Sequence, residues 1–318
     1  MFCVATIPDV GFPKINNNSP FERQIAVIQK FKNVIKSPLM SWDEIKRLGV
    51  DSNYCDFLQN AYESFKKDNY HPDFTDKYIP IKNLLFSCEI HTFLQKSIHP
   101  IAYRNIGFYA RDHITPIFEG AELSIRTAFS DAIYGAELLK TQNRVVVIPC
   151  HPGHHAYKHY KGYCYLNNSY YAKLYLSKEY RVGLIDLDYH AGDGVVGMNN
   201  CVSVHMDPQY DYPFASHPDL DNRFTFGPHC SIEHYMTIVN KAINSFGELD
   251  IIVIAVGFDT YKGDPEVQND MRTTIDIVDY YKIGQLFKKF NKVLVIQEGG
   301  YSDKVGEMME QFVNGIGF

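Results

Sequence analysis

The seven cysteines, Cys3, Cys55, Cys88, Cys150, Cys164, Cys201 and Cys230, are odd in number, widely scattered and nowhere paired as C-x-x-C. Neither a disulfide framework nor a thiolate zinc site is expected, and the thiols read as reduced and buried. No run of about 18 or more apolar residues occurs, which excludes a helical membrane span and predicts no membrane partner. The opening MFCVATIPDVGF has neither a basic n-region nor a long apolar stretch, so the cytoplasm is the expected compartment. A basic block is also missing: 31 Lys plus Arg stand against 37 Asp plus Glu, a net charge of −6. Nucleic acid is therefore not expected as a partner, whereas a small cationic substrate is weakly favoured. There is no G-x-S-x-G elbow and no H-E-x-x-H helix, which removes the usual signatures of serine hydrolases and zinc proteases. With no repeat, low-complexity tract or Gly/Ser/Pro-rich linker, residues 1–318 read as one domain.

What is present is a globular composition, with 45% hydrophobic and 21% charged residues. From about residue 140, short β-branched runs alternate with helical patterns. The runs are 145–150, 182–188, 202–205, 250–256 and 292–296; the helices are predicted near 168–178, 231–246, 273–290 and 303–314. Near-continuous apolar strands are buried on both faces, so the class is α/β with a parallel sheet flanked by helices. Upstream, Ser19-Pro20 opens an amphipathic helix to Phe31, Ser41-Trp-Asp-Glu44 has the form of a capping box, and a long helix is predicted over about 115–139. Met1–Pro8 is expected to supply an edge strand.

In open parallel sheets ligands bind beyond the carboxyl ends of the strands, where this sequence places unusual polar clusters. The first strand runs into Pro149-Cys-His-Pro-Gly-His-His155. The second ends in Asp186-Leu-Asp-Tyr-His-Ala-Gly-Asp-Gly194, and alternation puts Asp186, Asp188 and His190 on one side if the strand stays extended. Two carboxylates beside an imidazole read either as a salt-bridged turn or as a site for a first-row divalent metal such as zinc. Asp259, after Gly257, is either a turn cap or a third ligand. Gln297-Glu-Gly-Gly-Tyr301 projects a phenol able to donate to a developing oxyanion. Together these are parts for metal-assisted hydrolysis.

At this level the sequence resembles the histone deacetylase and acetylpolyamine amidohydrolase superfamily. The resemblance rests on Gly153-His-His-Ala156, Gly162-Tyr-Cys-Tyr-Leu-Asn-Asn168, Asp186-Leu-Asp-Tyr-His-x-Gly-Asp-Gly194, Ser203-Val-His205, Gly257-Phe-Asp-x-x-x-Gly-Asp-Pro265 and Glu298-Gly-Gly-Tyr301. It implies the arginase/deacetylase fold with a central eight-stranded parallel sheet, and hydrolysis of an acetyl-amine amide. It also implies one zinc ion on Asp188, His190 and Asp259, with His155 as general base and later acid and His154 as its electrostatic partner. Asp186 and Asp193 would orient His154 and His155, and Tyr301 would polarise the carbonyl. A potassium ion is implied near Asp186, through main-chain oxygens of Asp188 and His190 and through Ser203 and Val204. Ala191, where the family commonly has a second histidine, and the short Val195–Asn200 loop argue against a second monovalent site.

Substrate contacts are implied for Tyr163 as a tunnel wall, for Gly162 and Gly299, and for Asp112 as rim charge, with Glu119 as another acid nearby. Glu266, following Gly263-Asp-Pro265, resembles the gatekeeper of the polyamine branch; an exposed, solvated glutamate is the plain alternative. The favoured reading is a zinc amidohydrolase of acetylpolyamines, and the alternative is a zinc-dependent protein lysine deacetylase. A non-catalytic binding module is disfavoured by the intact His154, His155 and Tyr301. An arginase-type di-metal enzyme is disfavoured by the single Asp-x-His site. The resemblance also suggests a homodimer in which Arg104–Ile117 narrows the entrance.

Overall fold

Strands β1 (Phe2–Val4), β2 (Val34–Ile35), β6 (Arg144–Val147), β7 (Val182–Leu187), β8 (Cys201–Met206), β9 (Arg223–Phe226), β10 (Ile251–Val256) and β11 (Lys292–Gln297) form an eight-stranded sheet. Its order is β2-β1-β6-β11-β10-β7-β8-β9, and every pairing is parallel. This is the α/β sheet that the β-branched runs predicted. The computed structural model describes residues 2–10, 20–68, 78–81, 84–87, 98–195, 197–212 and 223–318; Ser19 and Cys88 lie outside them.

Alternation along the strands builds two cores. Ile252, Ile254 and Val256 of β10 join the layer containing Val27 of α1 (Pro20–Ile28), Val239 of α7 (Ile232–Asn244), Ile283 of α8 (Asp279–Gln285) and Phe312 of α9 (Val305–Ile316). Ile251, Val253 and Ala255 join the opposite layer, with Ala136 of α5 (Ala121–Thr141) and Leu176 of α6 (Asn168–Leu176). With β7, β8 and β10 buried at every position, each strand contributes apolar area to both layers. A third core gathers α2 (Trp42–Arg47), α3 (Ser52–Asp68), α4 (Ile106–Tyr109), β4 (Leu84–Ser87) and β5 (Ile117–Phe118), the last two belonging to a small antiparallel sheet with β3 (Tyr78–Ile81).

The Ser41 capping box is formed: Ser41 Oγ accepts from Glu44 N at 3.3 Å, and Glu44 Oε2 accepts from Ser41 N at 2.7 Å. Three expectations are corrected. β1 is not an edge strand, because the two-residue β2 pairs outside it. The helix expected from residue 273 begins only at Asp279, because Thr274 N donates to Cys230 O and Thr273 Oγ1 to Thr260 O, which ties the preceding segment to neighbouring loops. The long helix starts at Ala121 rather than near 115, after β5 and a left-handed Gly120.

Candidate active site

Four strands that are consecutive in space, β6, β11, β10 and β7, deliver the polar clusters to one edge of the sheet. The turn after β6 carries His154 and His155, whose ring centroids lie 4.0 Å apart with the planes tilted by 37°. That turn is anchored by Glu298, which follows β11. One Glu298 oxygen accepts from Gly153 N (2.6 Å) and His154 N (3.1 Å), and the other accepts from Ser169 Oγ (2.7 Å). His154 Nδ1 faces Asp186 Oδ2 at 3.2 Å, and His155 Nδ1 faces Asp193 Oδ1 at 2.8 Å. Each imidazole therefore has its own carboxylate behind it, which fixes the ring and leaves Nε2 as its working nitrogen.

The loops after β7 and β10 bring Asp188, His190 and Asp259 together, with one donor atom of each lying within 4.8 Å of the others. His190 Nδ1 is 3.0 Å from Asp259 Oδ2 and 3.4 Å from Asp188 Oδ1. Backbone donors orient the carboxylates: Gly299 N donates to Asp188 Oδ2 at 3.0 Å, and Tyr189 N to Asp259 Oδ1 at 3.0 Å. Gly257 and Gly299 are required here by space alone. A Cβ on Gly257 would lie 1.8 Å from Asp188 Oδ2, and one on Gly299 2.7 Å from both Asp188 Oδ2 and Asp259 Oδ2.

The electrostatics show a cluster short of positive charge. Burial opposes a charged His190, yet the hydrogen bonds and charges of Asp188 and Asp259 outweigh it and raise the imidazole to about 10. Burial likewise opposes a charged His154, but Asp188 and Asp186 hold it well above its ordinary value. His155 goes the other way: burial and then the charge of His154 push it down to about 4, against the pull of Asp193. Two buried carboxylates and an imidazole at this spacing fit a divalent cation, which would supply the missing charge. A second buried group, His154, Cys164 and Glu298, also has close donor atoms. There Glu298 is already committed to three hydrogen bonds, and burial pushes the Cys164 thiol well up, so that group reads as scaffold.

The sequence profile of the histone deacetylase domain matches residues 23–316. The chain belongs to the histone deacetylase family. Acetylpolyamine amidohydrolase 1 of Pseudomonas aeruginosa is 28% identical over 275 residues, spanning 79% of this chain and 76% of that protein. Acetylpolyamine amidohydrolase 2 of the same organism is 30% identical over 220 residues, spanning 62% and 63%. The crystal structure of acetylpolyamine aminohydrolase from Burkholderia pseudomallei shares the fold, with a TM-score of 0.80 at 19% identity over 100% of this chain and 98% of that one. This histone deacetylase family member is accordingly an amidohydrolase of the deacetylase type, and its domain implies a metal cofactor.

Around this centre the remaining expected residues take distinct places. Tyr163 is half-buried, and burial followed by the charges of Asp112 and Glu266 pushes its phenol up. Glu266 is exposed. Asp112 does not present a free rim charge. Its oxygens accept from Ile114 N, Thr115 N, Thr115 Oγ1 and, at 2.6 Å, Gly162 N, so its place is beneath the turn that carries Tyr163. Gly162 packs on the histidine pair, since a Cβ there would lie 2.6 Å from His155 Cδ2. Gly299 supports Asp188 rather than an open cleft. Glu119 pairs with Lys66 of α3 at 2.9 Å. Ser203 lies beside Asp186 and Val204 beside Leu187 in the β7–β8 register, and Ser203 Oγ accepts from Gly192 N at 3.1 Å. Within Arg104–Ile117, Ile114 is exposed.

Tyr301 is held through its backbone, with its N–H donating to Asp264 Oδ2 at 2.7 Å, and Arg23 lies 5.6 Å over its ring. The other oxygen of Asp264 accepts from Glu266 N at 3.0 Å, so one buried carboxylate ties both loops. Tyr212 goes beyond the sequence expectations. Its ring meets His155 edge-on at 5.6 Å and His190 at 6.0 Å, forming a second aromatic wall. No local motif marks it, because it arrives on the loop after β8 only through the fold.

Proposed function

We propose that this site removes the acetyl group from small acetylated polyamines, with Asp188, His190 and Asp259 holding one zinc ion. The observation that carries this reading is the pair His154 and His155, each backed by its own carboxylate, set against a three-donor cluster short of positive charge. Zinc, when bound, supplies Lewis acidity and lowers the pKa of water. The chain's own groups do the rest. His155, neutral and with Nδ1 held by Asp193, accepts the proton of the attacking water at Nε2 and returns it to the departing amine nitrogen. His154 remains positively charged on Asp186 and stabilises negative charge as it grows on the former carbonyl. The Tyr301 hydroxyl donates to that oxygen. Tyr163 and Tyr212 line the acyl-amine chain, and Glu266 at the rim pairs with the distal ammonium.

Two further assignments accompany this reading. Buried Asp186 Oδ1 has no hydrogen-bond partner in the described protein, which supports a potassium ion on Asp186, Asp188, His190, Ser203 and Val204. The six described cysteines are free and buried, in keeping with a reducing cytoplasm. We take residues 1–318 as one catalytic domain.

A hydrogen bond to a charged group is worth roughly 1.5–3 kcal/mol, or about 10- to 150-fold. The zinc-loaded protein is therefore expected to prefer acetylputrescine, acetylcadaverine and N8-acetylspermidine over an acetyl-lysine peptide by about tenfold or more in kcat/KM. Glu266→Leu should abolish most of that preference. A peptide preference would transfer the function to protein lysine deacetylation, and an unchanged mutant would reduce Glu266 to surface charge.

A further inference from the structure

Lys161 is a cation built into the wall of the site. Its side chain is only 11% exposed, and its ammonium is directed at Asp193 Oδ2. The other oxygen of the same carboxylate lies 2.8 Å from His155 Nδ1. Lys161 Nζ also sits 5.4 Å over the ring of Tyr212, which itself meets His155 edge-on. Two of the groups that flank the His155 imidazole, the Asp193 carboxylate behind it and the Tyr212 ring beside it, thus share one ammonium.

The backbone carrying Lys161 is fixed. Lys161 N donates to Cys164 O at 3.2 Å and Cys164 N to Lys161 O at 2.9 Å. Between them Gly162 has φ 55° and Tyr163 φ 61°, so both central residues are left-handed, as in a type I′ turn. A tyrosine adopts that conformation only where its surroundings impose it. Here Asp112 Oδ2 takes the Gly162 N–H and Thr115 Oγ1 takes the Tyr163 N–H at 3.0 Å.

We propose that Lys161 is a positioning residue for the reaction: anchored by this turn, its ammonium locks the Asp193 carboxylate in the orientation that serves His155 and holds Tyr212 against the same imidazole. A carboxylate with one partner can rotate about its Cβ–Cγ bond, whereas a second, charged partner on its other oxygen removes that freedom. The pairing also balances the buried charge of Asp193, so the imidazole hydrogen bond to it stays a bond between a neutral ring and a carboxylate. Cation–π attraction keeps Tyr212 in place from the same point.

The inference rests on the amidohydrolase reading, and its test separates the two. Zinc-loaded wild type, Lys161→Met, Lys161→Gln and Lys161→Arg are compared for kcat and KM on acetylputrescine, for zinc stoichiometry, and for the low-field proton resonance of the imidazole N–H facing Asp193, identified by its loss in His155→Ala. Lys161→Met should lower kcat tenfold or more, raise KM by a smaller factor, shift or abolish the resonance and keep the zinc. Lys161→Arg should restore kcat to within about threefold and bring the resonance back. Should Lys161→Met fail to fold, Lys161→Gln, which keeps a donor without the charge, is read in the same way. A neutral variant with wild-type kcat and an unmoved resonance, or an Arg variant that rescues neither, overturns the proposal. If the wild type hydrolyses no acetylated amine, the amidohydrolase reading falls, and the resonance alone then decides whether Lys161 orders Asp193 and His155.

Discussion

Gly257 shows how tightly the donor cluster is built, because the space a methyl group would need is occupied by Asp188 Oδ2, 1.8 Å from the Cβ position. Gly257→Ala is therefore expected to displace the Asp188 carboxylate and, with zinc held as proposed, to reduce its stoichiometry well below one per chain, measured by metal analysis of the purified protein. Gly247→Ala is the control, since a Cβ there meets nothing within 4 Å. An alanine at 257 with full zinc would show that the carboxylate can give way. Individual side chains were legible in the sequence where they sat in a motif with a chemical reason, as with Asp188-Tyr-His190 and the tandem histidines. Glu298 was visible in its motif, but its task, catching the backbone of the His154 turn, needs two strands distant in sequence to lie side by side. Tyr212 and the second partner of Asp193 were illegible for the same reason.

The short apolar, β-branched-rich runs could be read as strands from the sequence; four of the five lie within a residue of their expected bounds, and β6 ends at Val147, three residues before the expected Cys150. The two-residue β2 and the four-residue β9 carry too little pattern, and they are held by their neighbours rather than by propensity. α3 shows the opposite case: Tyr54, Phe57, Leu58, Ala61 and Tyr62 follow helical spacing and are all buried, so its pattern was present without a motif to draw attention to it. The sheet's outer edge also depends on a buried carboxylate in α5. Asp131 accepts from Thr6 N, Thr6 Oγ1 and Ser37 Oγ at 2.8, 2.7 and 2.6 Å, joining α5 to the chain beyond β1 and β2. Burial raises its carboxyl from 3.8 to about 6, outweighing those hydrogen bonds. With the folded value above the unfolded one, its contribution to stability is fully present below about pH 4 and is lost as pH rises through about 6. The stability difference between wild type and Asp131→Asn should therefore move against the wild type by about 1–3 kcal/mol across that window. Urea denaturation at pH 4 and pH 7 measures it; a pH-independent difference would mean the carboxyl is not raised.

The chain meets its clusters in the order β6, β7, β10, β11, but space orders the strands β6, β11, β10, β7. The sequence indicated that ligands gather beyond the strand ends; it carried no signal for this reordering, which is what closes the histidine pair, the donor cluster and Tyr301 around one point. The net charge of −6 and the exposed Glu266 suit a small cationic amine approaching that point. In the proposed mechanism the same packing separates roles: Asp188, His190 and Asp259 would hold the metal, whereas His155 and Tyr301 would act on the substrate without touching that task. The decisive measurement is turnover of acetylputrescine together with zinc content for wild type, His155→Ala and Tyr301→Phe. One zinc per chain in all three, with turnover lowered about 100-fold or more in His155→Ala and substantially in Tyr301→Phe, is the expected result. Turnover within tenfold of wild type in a zinc-loaded His155→Ala would contradict the mechanism at its base.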